Sequence, residues 1–191
     1  MKNLNRIAVF CGSSSGNEPI FSETARRVGT VLAERGIELV YGAGNIGLMG
    51  TLADAALAAG GRVHGVIPHF LKEYEVCHEG LTQLTLTQTM HERKQIMADA
   101  ADGFLILPGG FGTLDEFFEI LTWRQLHLHD KPIGILNVAG FYDALLSHLE
   151  ILLQKGFIRP ENRNLFRVAS DIDELLLLMT ERQERSVDKW A

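Results

Sequence analysis

Short runs of apolar and β-branched residues alternate along the chain with longer stretches in which apolar residues recur every three or four positions. The short runs predict strands, and the longer amphipathic stretches predict helices. The predicted strands are Ile7–Cys11, Glu38–Tyr41, Val63–Ile67, Leu81–Thr87, Phe104–Leu107, Pro132–Leu136 and Phe166–Ala169. The predicted helices are Ile20–Arg35, Leu48–Ala59, His91–Ala101, Thr113–His127, Phe141–Lys155 and Asp171–Glu181.

The order of these elements predicts the fold class. Strands that are apolar throughout and separated by helices indicate a mostly parallel sheet covered on both faces. With right-handed crossovers, the order predicts a three-layer α/β/α sandwich of the doubly wound, Rossmann-like class, in which ligands bind beyond the carboxyl ends of the strands. Residues 1–191 are expected to form one domain, and the charged segment 182–191 is expected to fray.

The composition is close to that of an average globular protein, with 46% hydrophobic and 22% charged residues. This excludes collagen-like, disordered and disulfide-framework proteins. The formal net charge of -6 argues against nucleic acid as a partner, because such binding requires clustered Lys and Arg. Cys11 and Cys77 lack metal-ligand spacing and are predicted to be free thiols in a reducing cytoplasm. No apolar run has the length of a secretory signal or a membrane span, so no membrane partner is expected.

Three glycine-rich loops each follow a predicted strand: Gly12–Gly16, Gly42–Gly50 and Pro108–Gly112. Because the carboxyl ends of parallel strands meet at one edge of the sheet, we expect all three loops to open there. Gly42–Gly47 matches the G-x-G-x-x-G dinucleotide pattern, but it follows the second strand, and the next strand brings no acidic residue for a ribose hydroxyl. The pattern therefore favours a tight turn that approaches a phosphate or a sugar, rather than a dinucleotide cofactor.

The segment Pro108–Glu116 joins glycines to the start of a predicted helix. Backbone N–H groups and the positive end of a helix can bind an anion together, and the missing Gly-Lys-Ser/Thr argues against triphosphate hydrolysis. Glu116 has two interpretations. With Thr113 it matches a capping box, in which the carboxylate only fixes the helix start. Alternatively, it faces the part of a phosphorylated ligand in which a glycosidic carbon would lie.

A second cluster of polar residues is Met90–Lys94. On a helix, Arg93 shares a face with Met97 and Ala101, which would direct its guanidinium into the sheet edge, toward a phosphate or a leaving base. The alternative is a solvated basic turn. The segment His127–Asp130 has metal-ligating side chains but lies at the opposite edge of the predicted sheet. We therefore expect chemistry that uses neither a metal nor a cofactor.

Several segments resemble the Lonely Guy family of cytokinin riboside 5′-monophosphate phosphoribohydrolases. Pro108–Glu116 is similar to the family's PGGxGTxxE motif, and Met90–Lys94 to its MHxRK segment. Further similar segments are Phe10–Ser14, Tyr41–Gly50, Thr122-Trp123 and Asp130–Asn137. The similarity extends from about Arg6 to Phe157, with a divergent region at Tyr74–Thr87.

The resemblance implies a single nucleotide-binding domain that hydrolyses the N-glycosidic bond of a purine nucleoside 5′-monophosphate to free base and ribose 5-phosphate. It also implies that Arg93 and Glu116 are the catalytic pair, and that the protein is a homodimer with its site near the interface. The residues expected to bind this small-molecule substrate are Ser13, Gly42, Gly44, Met49, Glu75, Lys94, Gly109, Gly110, Phe111, Gly112, Thr113, Leu114, Asp115 and Thr122.

The chemistry of these residue types agrees with that reaction. Cleavage of an N-riboside passes through an oxocarbenium-like state, which a carboxylate can stabilise while it orients water, and the leaving purine needs a proton or a cation. We therefore expect Glu116 to serve the sugar and water, and Arg93 the phosphate or the leaving base. The alternative is a non-catalytic carrier of a nucleotide or of the molybdenum cofactor. A phosphatase or nucleotidyl transferase would require Mg²⁺. AMP and N6-prenylated AMP are both candidate substrates.

Overall fold

The computed structural model describes residues 3–72 and 77–181. The strands are β1 (Arg6–Phe10), β2 (Glu38–Tyr41), β3 (Val63–Pro68), β4 (Gln83–Thr87), β5 (Gly103–Ile106), β6 (Ile133–Leu136) and β7 (Arg167–Ala169). The helices are α1 (Pro19–Glu34), α2 (Gly47–Ala58), α3 (His69–Lys72), α4 (Met90–Ala100), α5 (Phe111–Gln125), α6 (Asp143–Gln154) and α7 (Ile172–Thr180), with 3₁₀ helices at Val138–Gly140 and Pro160–Leu165.

The described strands form one parallel sheet in the order β4-β3-β2-β1-β5-β6-β7. Strands β2, β3 and β4 follow one another on one side of β1. The chain then crosses to the other side of β1, where β5, β6 and β7 follow one another. This is the predicted doubly wound, Rossmann-like class, which is thereby confirmed. The loops after β1 and β5 flank the point where the order reverses, and this is where ligands bind in such folds.

Both faces of the sheet are covered by helices, which explains why the strands are apolar along their whole length. In β1, Ile7 and Val9 join the core under α1, α2 and α7. The intervening Ala8 and Phe10 join the core on the opposite face, with residues of α4 and α5. Successive side chains of one strand thus fill two separate cores.

Small differences from the predicted elements occur at the ends of helices. The short helix α3 is not among the predicted elements, because four residues are too few to show a helical period. Helix α5 begins at Phe111 instead of the predicted Thr113. Among the described helices, none has the length and apolar character that a membrane span requires. Cys11 and Cys77 are free thiols, as predicted, and the segment 182–191 lies outside the described residues.

Candidate active site

The three glycine-rich loops meet at one edge of the sheet, and Gly12 holds them together. Its N–H donates to the carbonyl of Pro108 at 3.0 Å, and its own carbonyl accepts from the N–H groups of Leu48 and Met49 at 3.1 and 3.3 Å. Gly12 follows β1, Pro108 follows β5, and Leu48 and Met49 begin α2 after the β2 loop. The expectation that these loops open on a common edge is confirmed.

The loop before α5 leaves open space in front of the start of the helix. Gly110 is the N-cap residue and no side chain caps the helix, so the N–H groups of the first turn are available to a ligand. A Cβ added to Gly110 or Gly112 would meet no atom within 4 Å. A Cβ on Gly109, in contrast, would lie 2.1 Å from Oγ1 of Thr113. Gly109 is therefore required for packing, whereas the next glycines border the space that an anion would occupy.

Glu116 is not part of a capping box. The helix starts at Phe111, so Thr113 lies inside the first turn, where its side chain is buried against Gly109. Among the described residues, no hydrogen bond or ion pair to the half-buried Glu116 carboxyl occurs. The capping-box interpretation is therefore wrong, and the carboxyl has no structural partner that would occupy it.

Burial raises the pKa of Glu116 to about 7. The positive charges of Arg93 and Lys94 oppose this shift, while the negative charges of Asp115 and Glu119 add to it. A carboxyl with this pKa can gain or lose a proton near neutral pH, as a general acid or base must. Burial also raises the pKa of the Cys11 thiol, and the negative charge of Glu116 raises it further. The buried thiol therefore stays neutral.

Arg93 points into the sheet edge and not into solvent. Helix α4 is capped by Thr89, whose Oγ1 accepts from the N–H of Glu92 at 3.1 Å. One turn into the helix, Arg93 is 6% exposed, and its guanidinium donates from Nε to the carbonyl of Val66 and from Nη2 to the carbonyl of Gly42, both at 3.1 Å. The interpretation as a solvated basic turn does not hold for Arg93.

The position of the Arg93 guanidinium explains why residue 42 is a glycine, and it gives the site a fixed positive charge. A Cβ on Gly42 would lie 1.9 Å from Nη2 of Arg93, so a larger residue would displace the guanidinium. The guanidinium of Arg93 donates only to neutral acceptors, the two carbonyls and the Sδ of Met90, and no carboxylate of the described residues forms an ion pair with it. A buried cation without a carboxylate partner favours an anionic ligand.

Lys94 connects α4 to α5. Its Nζ lies 3.0 Å from Oδ2 of Asp115 and 3.0 Å from Oε1 of Glu119. Burial by itself lowers the pKa of Lys94, but the hydrogen bonds to Glu119 and Asp115 outweigh it and raise the pKa. Glu119 is not among the residues predicted from sequence. The available signal is its position on α5, three residues after Glu116 and four after Asp115, which places the three carboxyls on neighbouring turns.

The remaining predicted residues of the first two loops lie beside this site. Met49 is buried, and a Cβ on Gly44 would lie 2.7 Å from its Cε. Ser13 is exposed, and its carbonyl carbon would lie 2.3 Å from a Cβ on Gly47. At the start of α5, Phe111 is 94% exposed, and Leu114 packs against the core that includes α4. Glu75 lies outside the described residues.

Thr122 lies apart from the other predicted residues. It is exposed on α5, about 9 Å along the helix axis from Glu116 by the rise of an α-helix. There it lines an apolar groove of about 750 Å³, to which Arg93, Lys94 and Glu116 do not contribute. The residues that define this α5–α6 groove include Phe118, Leu121, Leu146, Leu153, Ile158 and Phe166.

His129 in the segment His127–Asp130 uses both ring nitrogens within the protein. Its Nδ1 accepts from the N–H of Lys131, so Nε2 carries the hydrogen and donates to the carbonyl of Ile120. Burial lowers its pKa to about 4. The described residues contain no group of three His, Cys, Asp or Glu that is arranged to hold a metal ion.

Residues 49–179 match a family model described as possible lysine decarboxylase. The chain is 46% identical over 173 residues to a cytokinin riboside 5′-monophosphate phosphoribohydrolase of Arabidopsis thaliana, covering 91% of this chain and 81% of that protein. It is 45% identical over 188 residues to a probable enzyme of the same name from Oryza sativa subsp. japonica, covering 98% and 84%.

Solved structures with the same fold are more distant in sequence. The molybdenum cofactor binding protein of Rippkaea orientalis matches with a TM-score of 0.69 at 21% identity, covering 93% of this chain and 96% of that one. The molybdenum cofactor carrier protein of Chlamydomonas reinhardtii matches with a TM-score of 0.67 at 20% identity, covering 92% and 99%. At this level of identity, the match establishes the fold.

Proposed function

Because the chain belongs to the family of the cytokinin riboside 5′-monophosphate phosphoribohydrolases, we propose that it hydrolyses the N-glycosidic bond of a purine nucleoside 5′-monophosphate, releasing free base and ribose 5-phosphate. One observation carries the proposal. A buried guanidinium without a carboxylate partner faces a carboxyl with a pKa near neutrality, beside the open start of a helix. These are the charges that a nucleoside monophosphate and its cleavage require.

The 5′-phosphate binds at the start of α5. The N–H groups of Gly110–Thr113 and the positive end of the helix supply donors and partial charge, and the absence of side chains at Gly110 and Gly112 leaves room for the phosphate oxygens. Phosphate binding away from the reacting bond supplies energy that positions the ribose. Two contacts fix this loop: Gly109 packs against Thr113, and the N–H of Gly12 donates to the carbonyl of Pro108.

Glu116 serves the sugar and the attacking water. As the bond between the ribose and the purine breaks, its electron pair leaves with the base and positive charge develops on the ribose. The Glu116 carboxylate stabilises that charge and accepts the proton of the water that attacks the anomeric carbon. The purine takes up one proton from solvent and Glu116 returns to solvent the proton it took from water, so the products are a neutral base and ribose 5-phosphate.

Arg93 acts as a fixed cation. Its two hydrogen bonds to the carbonyls of Val66 and Gly42 prevent the guanidinium from swinging away, so its charge is preorganised. It stabilises either the phosphate or the negative charge that grows on the leaving base. Lys94 on α4 and Asp115 on α5 form an ion pair where the two helices meet, and this pair borders the ligand.

The family description as a possible lysine decarboxylase does not fit the chemistry of Lys94. A lysine that forms a Schiff base must lose its proton to become a nucleophile. Lys94 is held between two carboxylates that raise its pKa, which keeps the proton on it. Lys94 is thus unsuited to attack a carbonyl.

The proposal includes a homodimer joined through the α5–α6 groove. Thr122, expected near the substrate from the family resemblance, lines this groove and lies about 9 Å along α5 from Glu116 of its own chain. A second copy seated in the groove would bring its own site toward Thr122. It would also cover Phe118, which is 39% exposed at the rim of the groove. The free thiols of Cys11 and Cys77 support a cytoplasmic location.

The first experiment is incubation of the purified protein with AMP, and separately with isopentenyladenosine 5′-monophosphate, in the presence of EDTA. Chromatography then measures free base and ribose 5-phosphate. We expect release of both products, and its loss in Glu116→Gln but not in Glu23→Gln, which makes the same change on the exposed face of α1. Tight binding of nucleotide without release of base would favour the carrier function, and inhibition by EDTA would favour a Mg²⁺-dependent enzyme.

A further inference from the structure

Glu119 has no assigned role in the proposed reaction, although it contacts the site. Its Oε1 lies 3.0 Å from Nζ of Lys94, the same distance as Oδ2 of Asp115 on the other side of the ammonium. Asp115 and Glu119 lie four residues apart on one face of α5, so the ammonium of α4 is held on that face, beside Glu116. Two anions therefore share one cation next to Glu116.

The two partners of Lys94 differ in their exposure to water. The side chain of Glu119 is 20% exposed, whereas that of Asp115 is 63% exposed. The ion pair with Glu119 is therefore screened less by solvent and is the stronger anchor for the ammonium. Asp115 stands at the surface, where water competes for its contact with Lys94, while Glu119 is the more buried partner.

The titratable groups that face Glu116 come from three parts of the fold. The charged groups are Arg93 and Lys94 on α4 and Asp115 and Glu119 on α5 itself, while the Cys11 thiol that follows β1 is a neutral titratable neighbour. Arg93 is fixed by backbone carbonyls and forms no ion pair with a described carboxylate. If Glu119 were absent, Lys94 would keep only the solvent-exposed Asp115 as a partner for its charge.

We infer that Glu119 is a positioning residue of the site, which holds the Lys94 ammonium between α4 and α5 and offsets its charge at Glu116. This inference rests on the proposed function, because Glu116 is the catalytic carboxyl only in that reaction. Its consequence is electrostatic. Without Glu119, the charge of the Lys94 ammonium is offset only by the more exposed Asp115, so that Glu116 holds its proton less tightly and Lys94 is held less firmly relative to the ligand.

The test measures proton binding at Glu116 directly, without substrate. In protein labelled with ¹³C at the glutamate side-chain carboxyls, NMR follows the Glu116 signal against pH, and its absence in Glu116→Gln assigns it. We expect the Glu116 midpoint to fall by about half a pH unit or more in Glu119→Gln and to rise by a similar amount in Lys94→Met. In the double variant, the two effects should largely cancel. Glu23→Gln should leave the midpoint unchanged.

A purely structural role for Glu119 would not produce shifts of opposite sign that cancel. The inference is overturned if the midpoint in Glu119→Gln stays within about 0.2 pH unit of the wild type, or if both single variants shift it in the same direction. Glu119→Asp retains the charge and should keep most of the wild-type midpoint. This variant gives a result even if Glu119→Gln fails to fold.

Kinetics separate this inference from the proposed function. In Glu119→Gln, the limb of the pH-rate profile that belongs to Glu116 should move to lower pH, and the KM for AMP should rise because Lys94 is no longer held. If the wild type releases no base while the NMR shifts occur as expected, the proposed function fails and the electrostatic role of Glu119 stands. If the wild type is active and the Glu116 midpoint does not move, the role of Glu119 alone is refuted.

Discussion

At the scale of the residue, Glu116 shows how a buried carboxylate at a candidate site can lower the stability of the folded chain. Its pKa is raised by burial from 4.5 to about 7. The folded chain therefore binds a proton more tightly than the unfolded chain, and stability must fall as pH rises through that interval. Below pH 4.5 both states are protonated, and the effect disappears. Above pH 7 the full cost is present, on the order of 2 kcal/mol for a carboxyl that stays partly accessible to solvent.

Glu116→Gln should therefore stabilise the protein at pH 8 by about 2 kcal/mol and change its stability little at pH 4, where the carboxyl is as neutral as the amide. Urea unfolding at the two pH values measures the difference. Glu23→Gln on the exposed face of α1 should show no such dependence. A Glu116→Gln variant with the same stability advantage at both pH values would show that burial of the charge is not the cause.

Arg93→Lys tests the two roles left to the guanidinium. A lysine keeps the positive charge, but its single ammonium cannot reach both the Val66 and the Gly42 carbonyls in the geometry of the guanidinium. We expect kcat/KM for AMP to fall by about ten-fold or more. A role at the phosphate predicts that the loss appears in KM, and a role at the leaving base predicts that it appears in kcat. Unchanged kinetics would remove Arg93 from the mechanism.

At the scale of the element, the sequence predicts structure wherever the pattern is continuous. The parallel strands are apolar along their length, so β1, β2 and β5 and the glycine loops that follow them are predicted at the correct edge. The start of α5 is predicted two residues late, because Thr113 and Glu116 imitate a capping box, while the true N-cap, Gly110, has no side chain that would signal it. The role of Glu119 depends on a contact between α4 and α5, which no local pattern contains.

The loop between β5 and α5 is also held by an element distant in sequence. Tyr142, at the start of α6, is 2% exposed and donates its hydroxyl to the carbonyl of Leu107 at 2.7 Å, directly before Pro108. Tyr41 is equally buried, but its hydroxyl has no hydrogen-bond partner among the described residues. The two tyrosines thus form a matched pair, in which only one hydroxyl has a partner in the described part of the fold.

Tyr142→Phe should destabilise the protein by about 1 kcal/mol and raise the KM for AMP, because the carbonyl of Leu107 loses its donor and the loop at the start of α5 loosens. Tyr41→Phe should leave stability unchanged or slightly improved, because it removes a buried polar atom that has no described partner. Urea unfolding and steady-state kinetics measure both effects. Equal effects of the two substitutions would contradict this account of the loop.

At the scale of the whole molecule, the position of Thr122 separates two architectures. If each chain were a complete enzyme, a residue that contacts substrate would lie with Arg93 and Glu116. Thr122 instead lines the α5–α6 groove. In a twofold dimer, the surface used by one chain is used equally by its partner, so each groove can serve the site of the other chain. The site would then consist of Glu116 from one chain and Thr122 from its partner.

Mixed dimers provide a test of shared sites that does not depend on the strength of association. Glu116→Gln should be inactive, and Thr122→Val, which removes a hydroxyl at nearly constant shape, should be impaired. When the two variants are unfolded, mixed and refolded together, half of the dimers should contain one of each chain. One site of each mixed dimer then has both Glu116 and Thr122 intact. Activity should recover to about a quarter of the wild-type value, since one site in four is complete.

The same mixing experiment also shows whether the shared site is wrong. If Thr122 serves the site of its own chain, every site in a mixed dimer carries one of the two substitutions, and activity stays at the average of the separate variants. Sedimentation of the mixture must show dimers for either result to count. A monomer with full activity would refute both the dimer and the shared site, and would leave the apolar groove between α5 and α6 without the occupant proposed for it.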